Sequence, residues 1–237
     1  MKTVLLCGGE GTRLRPYTYN IPKPMLPLGR RPIVEFVINN LKRNGFDDII
    51  ITLGYLKEQI MDYCGDGSRF GVKIEYVVEE KKMNTAGSLV PVLNKLDDTF
   101  LVAMGDHLTN INLKKMVEYH KEKGNIATIG LKRSGMPFEY GVVQLNPDGT
   151  IAEFKEKPII ENLINAGIYI FEPEAKKYIS EGKDFAKDVF PEILKDRKKI
   201  TGYVFDDFWL DIGRIHDYES VNQIISIVDI VKSNGDL

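Results

Sequence analysis

At 237 residues the chain is long enough to bury a substantial core. Its 43% hydrophobic and 28% charged residues give a normal soluble balance, and a net charge of −2 offers no global basic field for nucleic acid. The 2 cysteines, Cys7 and Cys64, exclude a disulfide framework, and no run of 18 apolar residues predicts a membrane-spanning helix.

The first element is "TVLLC" (3–7), a short β-branched and apolar run that ends in glycines and reads as a buried strand. It stops at Cys7, too short for the apolar region of a signal peptide, so the expectation is a cytoplasmic protein. In "PIVEFVINNLKRNG" Ile33, Val37 and Leu41 share a face, with Pro32 at the start and Gly45 past the end, which predicts a helix. "DDIIITLGY" (47–55) predicts a second buried strand, and "LKEQIMDYCGDG" a short helix closed by glycine. "VKIEYVVEE" (72–80) and "TFLVAMGD" (99–106) predict two more strands. "NLKKMVEYHKEKG" (112–124) predicts an amphipathic helix with Leu113, Met116, Val117 and His120 on one side.

Alternation of strand and helix predicts an α/β fold, Rossmann-like, with a mostly parallel mixed sheet and helices on both faces. The later half differs. "NIATIGLKR", "YGVVQLNPDGTIAEFKEKP" and "INAGIYIF" are strand-like, with "NPDG" a hairpin turn, and a last helix is expected from about Asp217 to Lys232. No linker or repeat separates the halves. The expected organisation is one domain over 1–237, with a first lobe to about residue 110 and an α+β lobe over about 111–237.

Ligands of open α/β sheets bind beyond the carboxyl ends of the strands. Three chemically loaded stretches fall there. "GGEGTR" follows the first strand, and glycines let backbone N–H groups approach a phosphate chain, with Arg13, Arg15 and Lys23 to neutralise charge. Asp106 follows another strand, and Asp211 follows the apolar part of "FWLDIG". Two carboxylates near phosphates suit a hard cation such as Mg²⁺. The glycine loop is neither a P-loop, since no GK[ST] follows, nor the GxGxxG fingerprint. An NAD-type reading also lacks its ribose-binding acid: Arg31 and Pro32 stand at that distance, with Glu35 already inside the helix. His107, His120 and His216 show no metal-ligand spacing, His120 reads as structural, and Cys7 reads as a small buried residue with no activating neighbour.

"GGEGTRLRPYTYNIPKPMLPL" closely resembles the signature of the sugar-1-phosphate nucleotidyltransferases, GGxGTRLxPxT followed by PKPMxP. "VVEEKKMNTAGSL", "GDHLTNINL", "EFKEKP", "NAGIYIF" and "FWLDIGRIHDYESVN" resemble further family elements in family order, so the likeness covers essentially the whole chain. It implies a nucleotide-diphospho-sugar transferase-like fold with a nucleotide-binding first lobe and a sugar-phosphate-binding second lobe. Because the sequence stops soon after its last expected helix, a short form without the C-terminal left-handed β-helix of some relatives is expected. The implied reaction is attack of a sugar-1-phosphate oxygen on the α-phosphorus of an NTP, with Mg²⁺ as cofactor and pyrophosphate as leaving group.

Carried onto this sequence, the resemblance implies catalytic roles for Arg13, Lys23, Asp106, Lys157 and Asp211, with Asp106 and Asp211 holding the metal. It implies nucleotide binding by Leu6, Gly8, Gly9, Gly11, Thr12, Arg13, Glu79, Asn84 and Thr85, and sugar-phosphate binding by Gly141, Glu156, Lys157 and Asn165. Arg15 falls at a variable position and is expected to be a solvated surface residue.

Two departures stand out. Cys7 replaces the usual alanine, and Asn84 replaces the first glycine of LGTAG, where asparagine is the next best residue if φ is positive. Glu79 falls where the family reads the base, with Glu80 as an alternative. A carboxylate only accepts hydrogen bonds, which suits the paired N1–H and N2–H donors of guanine. GTP is therefore the leading expectation; the tail "FWLDIGRIHDYESVN" resembles the guanylyltransferase branch of the family, which implies mannose-1-phosphate or a heptose phosphate as its partner, and glucose-1-phosphate with dTTP or UTP is the runner-up. A reading of another class is a catalytically silent, nucleotide-sugar-sensing subunit, which the complete catalytic set opposes. No membrane or nucleic-acid partner is expected. Family members often form dimers or tetramers, which leaves a homo-oligomer open.

Overall fold

The computed structural model describes residues 1–233. Strand β1 (Thr3–Cys7) leads into the glycine loop, and a small hairpin, β2 (Pro27–Leu28) with β3 (Arg31–Pro32), precedes helix α1 (Ile33–Arg43). There follow β4 (Asp48–Leu53), α2 (Lys57–Cys64), β5 (Lys73–Val78), the short α3 (Asn84–Gly87), β6 (Phe100–Met104), β7 (His107–Thr109) and α4 (Leu113–Lys123). The second half holds the long β8 (Ala127–Pro137), β9 (Val142–Leu145), β10 (Ile151–Lys155) and the 13-residue β11 (Ile159–Phe171). It closes with α5 (Phe190–Lys195), β12 (Ile200–Phe205), β13 (Trp209–Asp211) and α6 (Ile215–Ser233).

Seven strands form one sheet in the order β12-β8-β11-β6-β1-β4-β5. β1 pairs in parallel with β4 and β6, β4 with β5, and β12 with β8; only β11 runs antiparallel to its neighbours β6 and β8. The expected mostly parallel mixed sheet is therefore present. The central strands β1, β4 and β6 are predominantly apolar runs because both faces are covered. On one face α1, α2, α4 and α6 pack Val37, Ile38, Ile60, Met116 and Tyr218 onto Leu5, Ile49, Ile51 and Ile170. On the other, Leu89, Val92, Phe185, Phe190 and Ile193 cover Val4, Ile50, Val102 and Phe171.

Helix ends follow local chemistry. The Asn112 side chain accepts from Lys115 N at the start of α4, and Gly124 closes it in the left-handed region at φ 54°. The "NPDG" turn joins β9 to β10 in an antiparallel pair, with Gly149 at φ 85°. His120 is buried at 1% exposure, its Nδ1 2.8 Å from Thr128 Oγ1 and its Nε2 2.9 Å from Glu172 Oε1, a structural role as the sequence suggests. Among the described residues, no helix is long and apolar enough to cross a membrane.

Candidate active site

In register, Cys7 stands beside Leu53, Leu6 beside Met104 and Leu53 beside Val78, so the parallel strands β1, β4, β5 and β6 end together. The residues just beyond those ends converge: Gly8, Gly54, Glu79 and Asp106. The approach is close. A side chain at Gly54 would place its Cβ 2.8 Å from Gly8 O, so only glycine fits against the loop backbone. Gly11 adopts φ 62°, and its carbonyl accepts from Thr18 Oγ1 at 2.8 Å. Tyr55 Oη donates to Thr18 O at 3.0 Å, tying the same segment to the start of α2.

A cleft of about 550 Å³ opens over this loop. It brings together Leu6, Gly8, Gly9, Gly11, Thr12, Glu79, Asn84 and Thr85, every nucleotide-binding candidate except Arg13, and Asp106 lines it as well. Arg13 lines an adjoining cavity of about 230 Å³ with Lys23 and Asp106. Asn84 lies at φ 58°, so asparagine does occupy a left-handed position, and its Nδ2 donates to Gly182 O at 2.6 Å. Thr85 Oγ1 donates to Asp184 Oδ2 at 2.8 Å. Glu79 Oε1 is buried against Gly8 and has no hydrogen-bond partner within the protein. An acceptor left orphaned at a cleft wall favours a ligand that donates there.

The two predicted metal carboxylates meet because β13 pairs antiparallel with β7, setting Asp211 opposite His107, the residue after Asp106. The buried Lys23 ammonium lies between them, 2.5 Å from Asp106 Oδ2 and 3.3 Å from Asp211 Oδ1. Burial alone would raise the Asp211 pKa, but the His107 hydrogen bond and the Lys23 charge outweigh it and hold the carboxyl well below the usual range. Burial would lower His107, yet Asp211 and Asp106 raise it above its ordinary value. Two carboxylates clasping an ammonium form a donor set that fits a divalent cation, with Lys23 as the stand-in charge. Over Gly213, the Asp211 carboxylate and the Arg13 guanidinium approach the same point, 3.1 and 3.5 Å from where a Cβ would sit.

Cys7 is buried, and burial first, then Asp106, pushes its thiol pKa up, as befits an inert residue. Arg15 is exposed and pairs with Glu10 at 3.4 Å on the surface. Asn165 lines neither cavity; its Oδ1 accepts from Gly167 N, and the next carbonyl, Ala166 O, accepts from both His107 Nδ1 and Trp209 Nε1. Gly141 and Glu156 lie against one another, since a Cβ on Gly141 would sit 2.9 Å from Glu156 Oε2. Lys157 is exposed at φ 45°. None of these last three lines either cavity among the described residues. His107 and Gly54 were missed by sequence reasoning. His107 lies about a hundred residues from its ladder partner, and Gly54 carries only the weak signal of a glycine ending a strand.

The nucleotidyl transferase family model matches residues 2–226. The chain is 39% identical to a UTP–glucose-1-phosphate uridylyltransferase of Synechocystis sp., covering 95% of this chain and 64% of the relative. It is 36% identical to a mannose-1-phosphate guanylyltransferase of Mycobacterium tuberculosis, over 91% of this chain and 62% of that protein. The chain therefore spans less than two thirds of the length of these relatives. Among solved structures, a Bacillus anthracis protein named as a glucose-1-phosphate thymidylyltransferase superposes with a TM-score of 0.76 at 27% identity, covering 95% of each chain.

Proposed function

The chain belongs to the nucleotidyl transferase family, and on that premise we propose that it transfers a nucleotidyl group from an NTP to a sugar-1-phosphate, with GTP as donor and mannose-1-phosphate or a related sugar phosphate as acceptor. The observation that carries the reading is the Asp106–Lys23–Asp211 cluster beside the glycine loop, with Lys23 and Asp106 lining the cavity that the loop also lines. A sugar-phosphate oxygen attacks the α-phosphorus, the bond from the α-phosphorus to the α,β-bridging oxygen breaks, and that oxygen leaves with the electron pair as part of pyrophosphate. The attacking phosphate is already ionised near neutral pH, so no protein nucleophile is required. The protein contributes position and charge. Loop N–H groups around Gly8, Gly9 and Gly11 face the triphosphate, Arg13 meets the departing pyrophosphate, and Lys23 meets the α-phosphoryl region. Asp106 and Asp211 would hold a divalent cation, which neutralises phosphate charge when bound. Lys157 and Glu156 are assigned to the sugar phosphate and Asn165 and Gly141 to the sugar. The proposed substrates, a nucleotide and a sugar phosphate, favour a cytoplasmic location.

The orphaned Glu79 oxygen favours guanine, whose adjacent donors a carboxylate accepts. The Synechocystis relative, at the higher identity, favours the second reading, UTP with glucose-1-phosphate. Pyrophosphate release measured over four NTPs and both sugar phosphates separates them. GTP with mannose-1-phosphate is expected to be turned over best, and Glu79→Gln to lower kcat/KM for GTP by about tenfold to a hundredfold while sparing UTP. A clear preference for UTP or dTTP overturns the base assignment, and no release with any pair overturns the enzyme reading.

A further inference from the structure

The residue left without a role in this scheme is His107. It sits in the middle of the acid pair, its Nε2 3.6 Å from Asp106 Oδ1 and 3.5 Å from Asp211 Oδ1. Its orientation is fixed from every side. Nδ1 lies 3.0 Å from Ala166 O, and a carbonyl only accepts, so Nδ1 carries a hydrogen and Nε2 faces the carboxylates, where it donates to Asp211 when protonated and offers a lone pair once a cation displaces that proton. Trp209 packs edge-on against the ring at 5.3 Å and donates to the same Ala166 carbonyl at 2.8 Å. Gly167, at φ 67°, leaves the space the ring fills: a Cβ there would lie 2.6 Å from His107 Cε1.

A ring whose Nδ1–H is spent on a backbone carbonyl, with Nε2 between two carboxylates, has the arrangement of a metal-ligating histidine. One oxygen from each acid and one His107 nitrogen lie within 4.8 Å of one another. Atoms each about 2.1 Å from a shared ion stand about 3 to 3.5 Å apart, so the Nε2–oxygen separations need little adjustment.

We infer that His107 Nε2 is the third protein ligand of the cation held by Asp106 and Asp211, an inference that rests on the acid pair being the metal site. The site is then O,N,O rather than purely carboxylate. An imidazole nitrogen binds Mn²⁺ and Co²⁺ better than it binds Mg²⁺, so the site selects the transition ions by more than its two carboxylates alone would.

The test uses the full chain loaded with Mn²⁺ and read by pulsed electron paramagnetic resonance. A hyperfine coupling from one directly bound nitrogen is expected in the unaltered protein and not in His107→Asn or His107→Gln. Titration of the same proteins should show Mn²⁺ binding weakened about tenfold or more by either substitution, with Mg²⁺ binding changed much less. Asp106→Asn serves as the site control and should abolish the specific Mn²⁺ signal. Mn²⁺ bound in an Asp106-dependent way without nitrogen coupling overturns the His107 assignment and leaves the acid-pair site standing. Mn²⁺ binding indifferent to Asp106→Asn overturns both. The measurement on the unaltered protein decides the matter even if a variant folds poorly.

Discussion

Asn84 shows how much one residue can carry. It opens α3 at φ 58°, a conformation that costs most side chains roughly 1 to 2 kcal/mol. Asparagine tolerates it, and here its amide also donates to Gly182 O across the cleft rim. The two contributions can be separated. Asn84→Gly should keep the backbone and lose only the side-chain bond, leaving stability within about 1 kcal/mol. Asn84→Ala loses the bond and adds strain, so its denaturation midpoint should fall clearly below that of the glycine variant; equal midpoints would show that φ is not the constraint. This position was legible beforehand because a glycine-rich pattern with asparagine in a glycine's place points to a positive φ. His107 was not legible. Its neighbour in sequence is an acid at a strand end, but its partner in space comes from β13, and no local spacing announces a ladder between residues so far apart.

Among the elements, those with a sustained pattern were readable and those built by pairing were not. β1, β4 and β6 are predominantly apolar runs, β5 alternates polar and apolar residues, α1 and α4 have helical periodicity, and the turn residues of β9–β10 mark a hairpin. The β7–β13 ladder is three residues on each side, too short for any period to register, yet it joins Asp106 to Asp211. β11 contributes the other hidden feature. Its register against β8 shifts between Asn165 and Tyr169, and Gly167 lies in that irregular stretch. A methyl group on Gly167 would strike the His107 ring at 2.6 to 2.8 Å and Met104 Cγ at 2.9 Å, at a φ of 67°. Gly124 at the end of α4 has a similar φ of 54° but nothing within 4 Å. Gly124→Ala should therefore cost only backbone strain, about 1 kcal/mol, whereas Gly167→Ala adds overpacking of about 1 to 3 kcal/mol and displaces the imidazole. Chemical denaturation of both variants checks the difference. Equal losses would mean that β11 yields locally and that Gly167 does not hold the site open.

For the whole molecule the question is whether two lobes that differ in strand pattern unfold as one body. β1, β4, β5 and β6 come from the first half, β8, β11 and β12 from the second, and β6 pairs directly with β11. Neither apolar face belongs to one half: Phe171 stacks on Phe100 at 5.5 Å, and Ile170 packs in the same cluster as Leu5 and Ile38. A core shared in this way gives neither half a separate apolar interior to retain when the other opens. The chain has a single tryptophan, Trp209, which packs against the helix-covered face opposite Phe171 and touches His107. Its fluorescence therefore reports on the site, while circular dichroism reports on the whole. The two should give coincident denaturation curves. Phe171→Ala, a deletion from a fully buried aromatic cluster, should cost about 3 to 5 kcal/mol and move both midpoints together, although Trp209 lies across the sheet from the cavity. A Trp209 transition that stays in place while the circular dichroism midpoint drops would show that the halves unfold separately and that the candidate site draws its rigidity from one half alone.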